Sequence, residues 1–517
     1  KWLGPRPKQD PFQWLMVDKK GKFVPGACGG NSPDYFAPLH RYRVCPEHPE
    51  WRKFQARLTE LIAEVGYDGV FPDNSNPESE DICFCKYCQK GLKTFAMTRS
   101  SRELKILGVM GDPGQVDLLS DKTPKDLIRR YQIDISARYQ CMIHEAGRKV
   151  NPGFVVFPNV NSYATFMPLS PACDFLMFES IYSPGCNFAG APSSKKLTGQ
   201  PKPSPTSITK THIGLYQTHI GQLLFTMHAP ARTVLLDYEC QKAGKDAVME
   251  LGLAECAAFS NGSALAGKGE PRCKYAGFFR RTKHLYDGFA PYADIGLLYS
   301  YWGCNPDNMY PDDIWSREVS PATDLAGRHR LIKVLVDRTI DETDLRTLKT
   351  IILCGCSLEM EDSQIAVLKA WAGAGGRLYV YCPETIVNGR PIAETLSEAV
   401  QWKPGMTVAG MKPLVDDAKG IVRGLRFSSF IHPDERRMTL HVLNYNVKHR
   451  QTPATVMAVK NVAVALTLPQ DFAVKSARMY DPDSPKSADL PFAIRRGQLT
   501  FVLPEVRIYK VIELRPC

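Results

Sequence analysis

Cys83-Phe-Cys85-Lys-Tyr-Cys88 sets three thiols within six residues, close enough along the chain to converge on one tetrahedral ion. A closed structural zinc site takes four ligands, and Cys45 is the nearest thiol upstream. Four thiolates leave no open position for substrate, so zinc held there would be structural and no catalytic cofactor is expected. Disulfides or free buried thiols are the competing reading. Against pairing, three crowded cysteines leave one odd, and the rest of the 16 show no framework of paired spacings.

Carboxylates make the second constellation. Asp73 with its neighbour Asn74, then Glu179, then Glu239 in Leu235-Leu-Asp-Tyr-Glu239, each stand at the end of a short apolar run. Glycoside hydrolysis needs two carboxyl groups flanking one bond, one to protonate the leaving oxygen and one to attack or to activate water. An acid at a strand end also serves as a helix cap or an arginine partner. Three of them in one half of a barrel favour a shared pocket over three separate structural roles. Other chemistries lack their signatures: there is no G-x-x-x-x-G-K-[ST] loop, no G-x-G-x-x-G after a strand and no G-x-S-x-G elbow. His212, His219 and His228 read as surface or loop residues of a helical stretch, with a substrate or metal contact as the alternative.

The elements that must position these groups are repeated βα units over residues 1–290. Strands are expected at Gln13–Val17, within Tyr67–Asn74, and at Phe154–Asn159, Asp174–Glu179, Thr233–Glu239 and Ser263–Gly267. Between them, Trp51, Phe54, Leu58, Leu61, Ile62 and Val65 recur at helical spacing, with Pro46 near the start and Gly66 past the end. A longer stripe from Leu127 to Ile143 predicts a helix over about Pro124–Lys149, with Thr123 as its N-cap. Such a pattern predicts a (β/α)8 TIM barrel, whose active site is built at the C-terminal ends of its strands. Six strands are two short of eight, and the missing N-terminal units are expected ahead of Lys1. Ser183–Thr211, rich in Pro, Ser and Lys, reads as a long loop over the barrel mouth.

From Pro291 the pattern changes to that of a small doubly wound, flavodoxin-like α/β domain over 291–395, with strands at Ile295–Ser300, Leu331–Val336, Thr350–Leu353 and Gly375–Tyr381. Its helix turns Ile365, Leu368 and Trp371 inward. Residues 396–517 alternate with a period of two, as in Met438–Asn444 and Gln498–Leu503, and predict a C-terminal β-sandwich.

With 517 residues, 44% of them hydrophobic and 10% aromatic, the chain is neither disordered nor fibrous, and its length suits two to four domains. Nowhere do about 18 apolar residues run together, and residues 1–20 lack the apolar core of a signal peptide, so a soluble protein is expected, cytoplasmic or exported after losing its leader. The 65 Lys and Arg against 54 Asp and Glu leave +11, spread without a basic stripe, which argues against nucleic acid as a partner. The charge, with Lys195, Lys196 and Lys202 in the expected mouth loop, leaves an anionic glycan as one substrate class.

These residues, in chain order and over nearly the whole length, resemble the glycoside hydrolase family 42 β-galactosidases. Leu15-Met-Val-Asp-Lys-Lys-Gly21 resembles the segment after their third barrel strand, and His40-Arg41-Tyr-Arg-Val-Cys45 their motif in which an arginine binds substrate and a cysteine binds zinc. Asp73-Asn74 is similar to the start of their Asp-Asn-Glu, Cys83-Phe-Cys85-Lys-Tyr-Cys88 to their remaining zinc ligands, and Asp174–Ser180 to their sixth strand. Asp237-Tyr-Glu239 is similar to their seventh strand, and Thr350–Val380 to their trimerisation domain. The resemblance implies Glu239 as nucleophile, Arg41 and Asn74 on sugar hydroxyls, structural zinc on Cys45, Cys83, Cys85 and Cys88, and a trimer, with a dimer as the alternative.

One departure falls on the chemistry. Ser75 stands where that family has the acid Glu, and a hydroxyl cannot deliver a proton near neutral pH as a carboxylic acid of raised pKa can. Glu179, Asp73, or Glu78 and Glu80 folding back from the loop are the candidate replacements. The expected function is therefore a retaining glycoside hydrolase acting on an oligo- or polysaccharide, with Glu239 as nucleophile and Glu179 or Asp73 as acid/base. The alternatives are a barrel glycosidase with Asp73 as nucleophile and Glu179 as acid/base, and a carbohydrate-binding barrel that has lost catalysis.

Overall fold

The computed structural model describes residues 10–24, 43–73, 83–159, 170–180, 232–237, 243–260, 263–264, 269–302, 320–355, 357–403, 405–406, 413–415, 422, 424–448, 451–469 and 472–516. The chain divides into two compact units, residues 1–176 with 302–309, and residues 177–301 with 310–517.

In the first unit the helix Pro49–Glu64 starts with Pro49 in its first turn, where a missing N–H costs nothing, and ends before Gly66, whose φ of +93° suits glycine. It lies along the 26-residue helix Lys125–Val150. Ala63, Ile143, Phe154 and Val156 form the core beneath them, with Ile62, Val70, Tyr139 and Met142 packed against it. Under these helices the strands Gly69–Val70 and Val155–Val156 pair in parallel, as consecutive βα units require. The long helix begins with Pro124 as N-cap, not Thr123: the Thr123 hydroxyl donates to the Asp117 carbonyl, 2.5 Å away, and so is committed to the preceding turn.

The strand expected at Gln13–Val17 is a second difference. Pro11–Trp14 is a 3-10 turn, because the Asp10 carboxylate accepts from the Phe12 amide and Pro11 presets the first helical φ. Only Leu15 and Val17 pair, through isolated antiparallel bridges to Val44 and Phe23. Ser101–Ile106, absent from the sequence reading, is nucleated by a capping box in which Ser100 and Glu103 satisfy each other's amides.

The strands Phe175–Ser180, Arg232–Asp237 and Ser263–Ala264, in the second unit but for Phe175 and Leu176, lie side by side in that order, the last two parallel. The helix Asp246–Ser260 follows, buried nearly all round. Its Glu250 is 4% exposed and is satisfied by a forked Arg507 guanidinium at 2.7 and 3.0 Å and by Lys274 at 2.5 Å. Asp483 accepts from the same Lys274 at 2.7 Å, so the network joins this helix and the helix Glu270–Arg281 to the C-terminal β-structure.

The α/β region has five parallel strands, Ile295–Tyr299, Ile332–Val336, Thr350–Leu353, Arg377–Val380 and Val400–Gln401, in the spatial order second, first, third, fourth, fifth. That is the doubly wound order whose switch point falls between the first and third strands. The buried Asp337 carboxylate bridges loops near this point, accepting from the amides of Tyr301 at 2.8 Å and Glu359 at 2.7 Å. The helix Asp362–Gly373 turns Leu368 fully inward, with Ile365 and Trp371 flanking the core.

Two antiparallel sheets face each other at the C-terminal end, one of six strands and one of three. Leu440, Val442, Ile512 and Leu514 of the first meet Val462, Val464, Leu499, Phe501 and Leu503 of the second in one core. The six-stranded sheet takes its edge strand Ala290–Pro291 from ahead of the α/β region, a long-range pairing to Phe430 and Ile431. Among the described residues no helix is long and apolar enough to cross a membrane.

Candidate functional site

The four cysteines singled out by spacing come together. Their sulfur atoms all lie within 4.8 Å of one another, with Cys45 Sγ 3.6 Å from Cys85 Sγ and 3.4 Å from Cys88 Sγ. These separations are far beyond the roughly 2.05 Å of a disulfide, and all four thiols are free. Cys45, Cys83 and Cys88 are 1–2% exposed and Cys85 is half-buried.

Backbone hydrogen bonds bring them to one point: Cys45 donates to the Trp14 carbonyl at 2.8 Å, and Phe84, between two of the cysteines, to Val17 at 2.9 Å. Cys85 is the N-cap of the helix Lys86–Met97, at the end where amide dipoles favour negative sulfur, and Cys88 lies in the first turn. Hydrogen bonds from Cys45, then Cys83 and Cys88, hold the Cys85 thiol far below the usual range, while the same crowding pushes Cys88 far above it. A cluster that stabilises one thiolate and strains against further charge is a set of ligands that could hold a metal ion.

Packing fixes the cluster to the long helix. Tyr131, fully buried, donates its hydroxyl to the Cys88 carbonyl at 3.1 Å. Gly91 makes room for it: a Cβ there would sit 2.0 Å from the Tyr131 hydroxyl.

The strand ends form the second arrangement. Beyond Val70 and Val156 the parallel pairing continues, with Phe157 donating to Val70 at 3.2 Å and Asn159 to Pro72 at 2.9 Å. Val70 and Val156 pack toward the helices, so the two-residue period turns Phe71, Asp73, Phe157 and Asn159 to the opposite face. There the rings of Phe71 and Phe157 lie 5.2 Å apart. One step farther along, Asn159 Nδ2 donates to Asp73 Oδ1 at 2.9 Å. Asn159 is 2% exposed, whereas Asp73 is exposed.

The opposite, N-terminal end of this strand system carries a different kind of carboxylate. Asp174 accepts from Arg148 at 2.7 Å and from the Val156 amide at 2.9 Å, and pairs with His144 Nε2 at 3.1 Å. Groups at that end of a barrel serve stability.

Of the sequence-predicted site residues, Asp73 is at a strand end as expected, and Glu179 is the penultimate residue of the strand Phe175–Ser180. Arg41, Asn74 and Glu239 lie outside the described residues, as do Ser75, Glu78, Glu80, the three histidines His212, His219 and His228, and Ser183–Thr211. Asn159 was read from sequence only as the end of a strand. The available signal was an amide directly following the apolar Phe154–Pro158 run, at the same end of its strand as Asp73.

No family model and no curated protein matches the chain. Solved structures do. An α-L-fucosidase isoenzyme 2 from Paenibacillus thiaminolyticus matches 98% of this chain and 85% of its own, with a TM-score of 0.59 at 14% identity. The β-galactosidase from the Antarctic haloarchaeon Halorubrum lacusprofundi matches 99% and 88%, with a TM-score of 0.57 at 13% identity. A family 42 β-galactosidase from G. stearothermophilus, in its catalytic-mutant form, matches 99% and 87%, with a TM-score of 0.56 at 11% identity. At these identities the likeness carries the fold: a TIM barrel followed by α/β and β-sandwich regions, the architecture of glycoside hydrolases that differ in the sugar they act on.

Proposed function

We propose that this protein is a glycoside hydrolase of the family 42 type that cleaves a glycosidic bond in an oligo- or polysaccharide with retention of configuration. The observation that carries the reading is Asp73, held at a strand C-terminal end by a buried amide, in a chain whose near-full-length structural neighbours are glycoside hydrolases. Barrels gather their strand C-terminal ends on one face, so acids at several strand ends are the natural source of a two-carboxylate pair.

In this reading Glu239 attacks the anomeric carbon and forms a glycosyl ester, while Glu179 or Asp73 protonates the departing oxygen. The same acid/base then takes a proton from the water that opens the ester. Arg41 and Asn74 hold sugar hydroxyls. Ser75 receives no proton-transfer role, for want of a suitable pKa.

We further assign structural zinc to Cys45, Cys83, Cys85 and Cys88. Thiolate–zinc bonds of about 2.3 Å in a tetrahedron imply sulfur–sulfur edges of about 3.8 Å, close to the 3.4 and 3.6 Å that separate Cys45 Sγ from Cys88 Sγ and Cys85 Sγ. Bound there, zinc would tie the segments around Cys45 and Cys83–Cys88 to one another.

A panel of aryl glycosides and oligosaccharides, with the first-formed anomer followed by NMR, tests the function. Turnover with a retained anomer is expected. Inversion would overturn the mechanism, and glycan binding without any turnover would identify the barrel as a binding protein.

A further inference from the structure

We propose that Asn159 is the positioning residue for Asp73, fixing that carboxylate for its part in the reaction. This inference rests on the glycosidase reading and deepens it. Three observations carry it. The parallel register Gly69↔Val155 and Val70↔Val156, extended by the bond from the Asn159 amide to Pro72, makes residues 73 and 159 leave the sheet side by side. The face they share is the one turned away from the helices, floored by the Phe71–Phe157 ring pair. The amide is 2% exposed while the carboxylate it holds is exposed, so an immobile donor grips a group that reaches accessible space.

The chemistry suits that task. A neutral amide donates to a carboxylate oxygen without adding charge, and a hydrogen bond to a carboxylate is stronger than one between neutral groups. With serine following at position 75, Asp73 is the carboxyl group in this loop start whose orientation the sheet itself sets. Sub-ångström placement of a reacting group governs rate far more than binding. Asn159 therefore acts through Asp73 on kcat and leaves KM largely alone.

The test uses the full chain and the best aryl glycoside from the panel, with Glu239→Gln as the control for catalysis. Asn159→Leu is expected to lower kcat about 10- to 100-fold with KM within about threefold. In an Asp73→Asn background the same change should cost nothing further, because its effect runs through the group already removed. Asn159→Asp, close to the native shape, sets two carboxyl groups within hydrogen-bond distance, so they share a proton, the pKa of the general acid rises, and the alkaline limb of the pH–rate profile moves up by about one unit or more. If the leucine variant does not fold, that shift still tests whether the carboxyl group beside residue 159 is the one that titrates in the reaction, since an Asp73 with no part in it would leave the limb in place. Wild-type kcat and an unmoved limb in the Asn159 variants, with Glu239→Gln inactive, would overturn this inference alone. No turnover of any glycoside by the native chain would overturn the glycosidase reading and this inference with it.

Discussion

His441 makes the C-terminal sheet sensitive to acid by an amount that follows from its surroundings. It is fully buried in the strand Met438–Asn444, with Nδ1 2.6 Å from the Tyr509 hydroxyl and Nε2 3.1 Å from Thr439 Oγ1. The Tyr509 hydroxyl also meets that of Tyr286 at 3.1 Å, and its own ionisation is pushed well up by burial, so it remains a donor for a neutral imidazole. Burial pushes the His441 pKa from 6.5 down to about 3. Between those two values the unfolded chain binds a proton that the folded chain refuses. Stability conferred by the neutral ring is thus fully present above pH 6.5 and is lost as pH falls toward 3. At about 1.36 kcal/mol per unit, the 3.5-unit gap caps the loss at about 5 kcal/mol. His441→Gln keeps one acceptor and one donor but cannot titrate. Urea unfolding from pH 7 to 4, followed by hydrogen exchange of the Met438–Asn444 amides, should show the native protein losing about 1.4 kcal/mol per pH unit more than the variant below pH 6.5. Parallel pH curves for the two proteins would show that His441 does not set the acid sensitivity of this sheet.

Three further outcomes are expected. The native protein should carry one zinc with about four sulfur ligands near 2.3 Å by X-ray absorption, and Cys88→Ser should release it; a shell poor in sulfur would remove the assignment. Gly91→Ala drives a methyl group against the buried Tyr131 hydroxyl, 2.0 Å away, and should cost about 1–3 kcal/mol in thermal unfolding, with no loss speaking against this packing. Arg507→Ala strips the forked partner from the buried Glu250 and should destabilise by about 3 kcal/mol, held to the low end because Lys274 remains; an unchanged unfolding midpoint would show the network to be dispensable.

Local patterns were legible in the sequence where local physics decides. Met438–Asn444 and Thr350–Leu353 are strands with the expected limits, and the long apolar stripe from Leu127 is a helix within one residue of its expected ends. Cys45 was reached from chemistry rather than pattern, from the four ligands a closed zinc site would take, and its sulfur does lie within 4.8 Å of the other three. Failures came where a distant or competing partner decides. Asp10 and Pro11 outbid the apolar run at Gln13–Val17, and Thr123 was taken by Asp117. Ala290–Pro291 joins a strand some 140 residues later in the chain, which no window of local sequence contains. Asn159 escaped for a related reason: an amide at the end of one strand gains its meaning from a carboxylate on another.

The most direct test of the central claim is the rate of glycoside hydrolysis by Glu239→Gln beside the native chain. The variant is expected to fold, still bind the glycan and lose turnover by about a thousandfold or more, as removal of a covalent nucleophile entails. Full activity in the variant would contradict it.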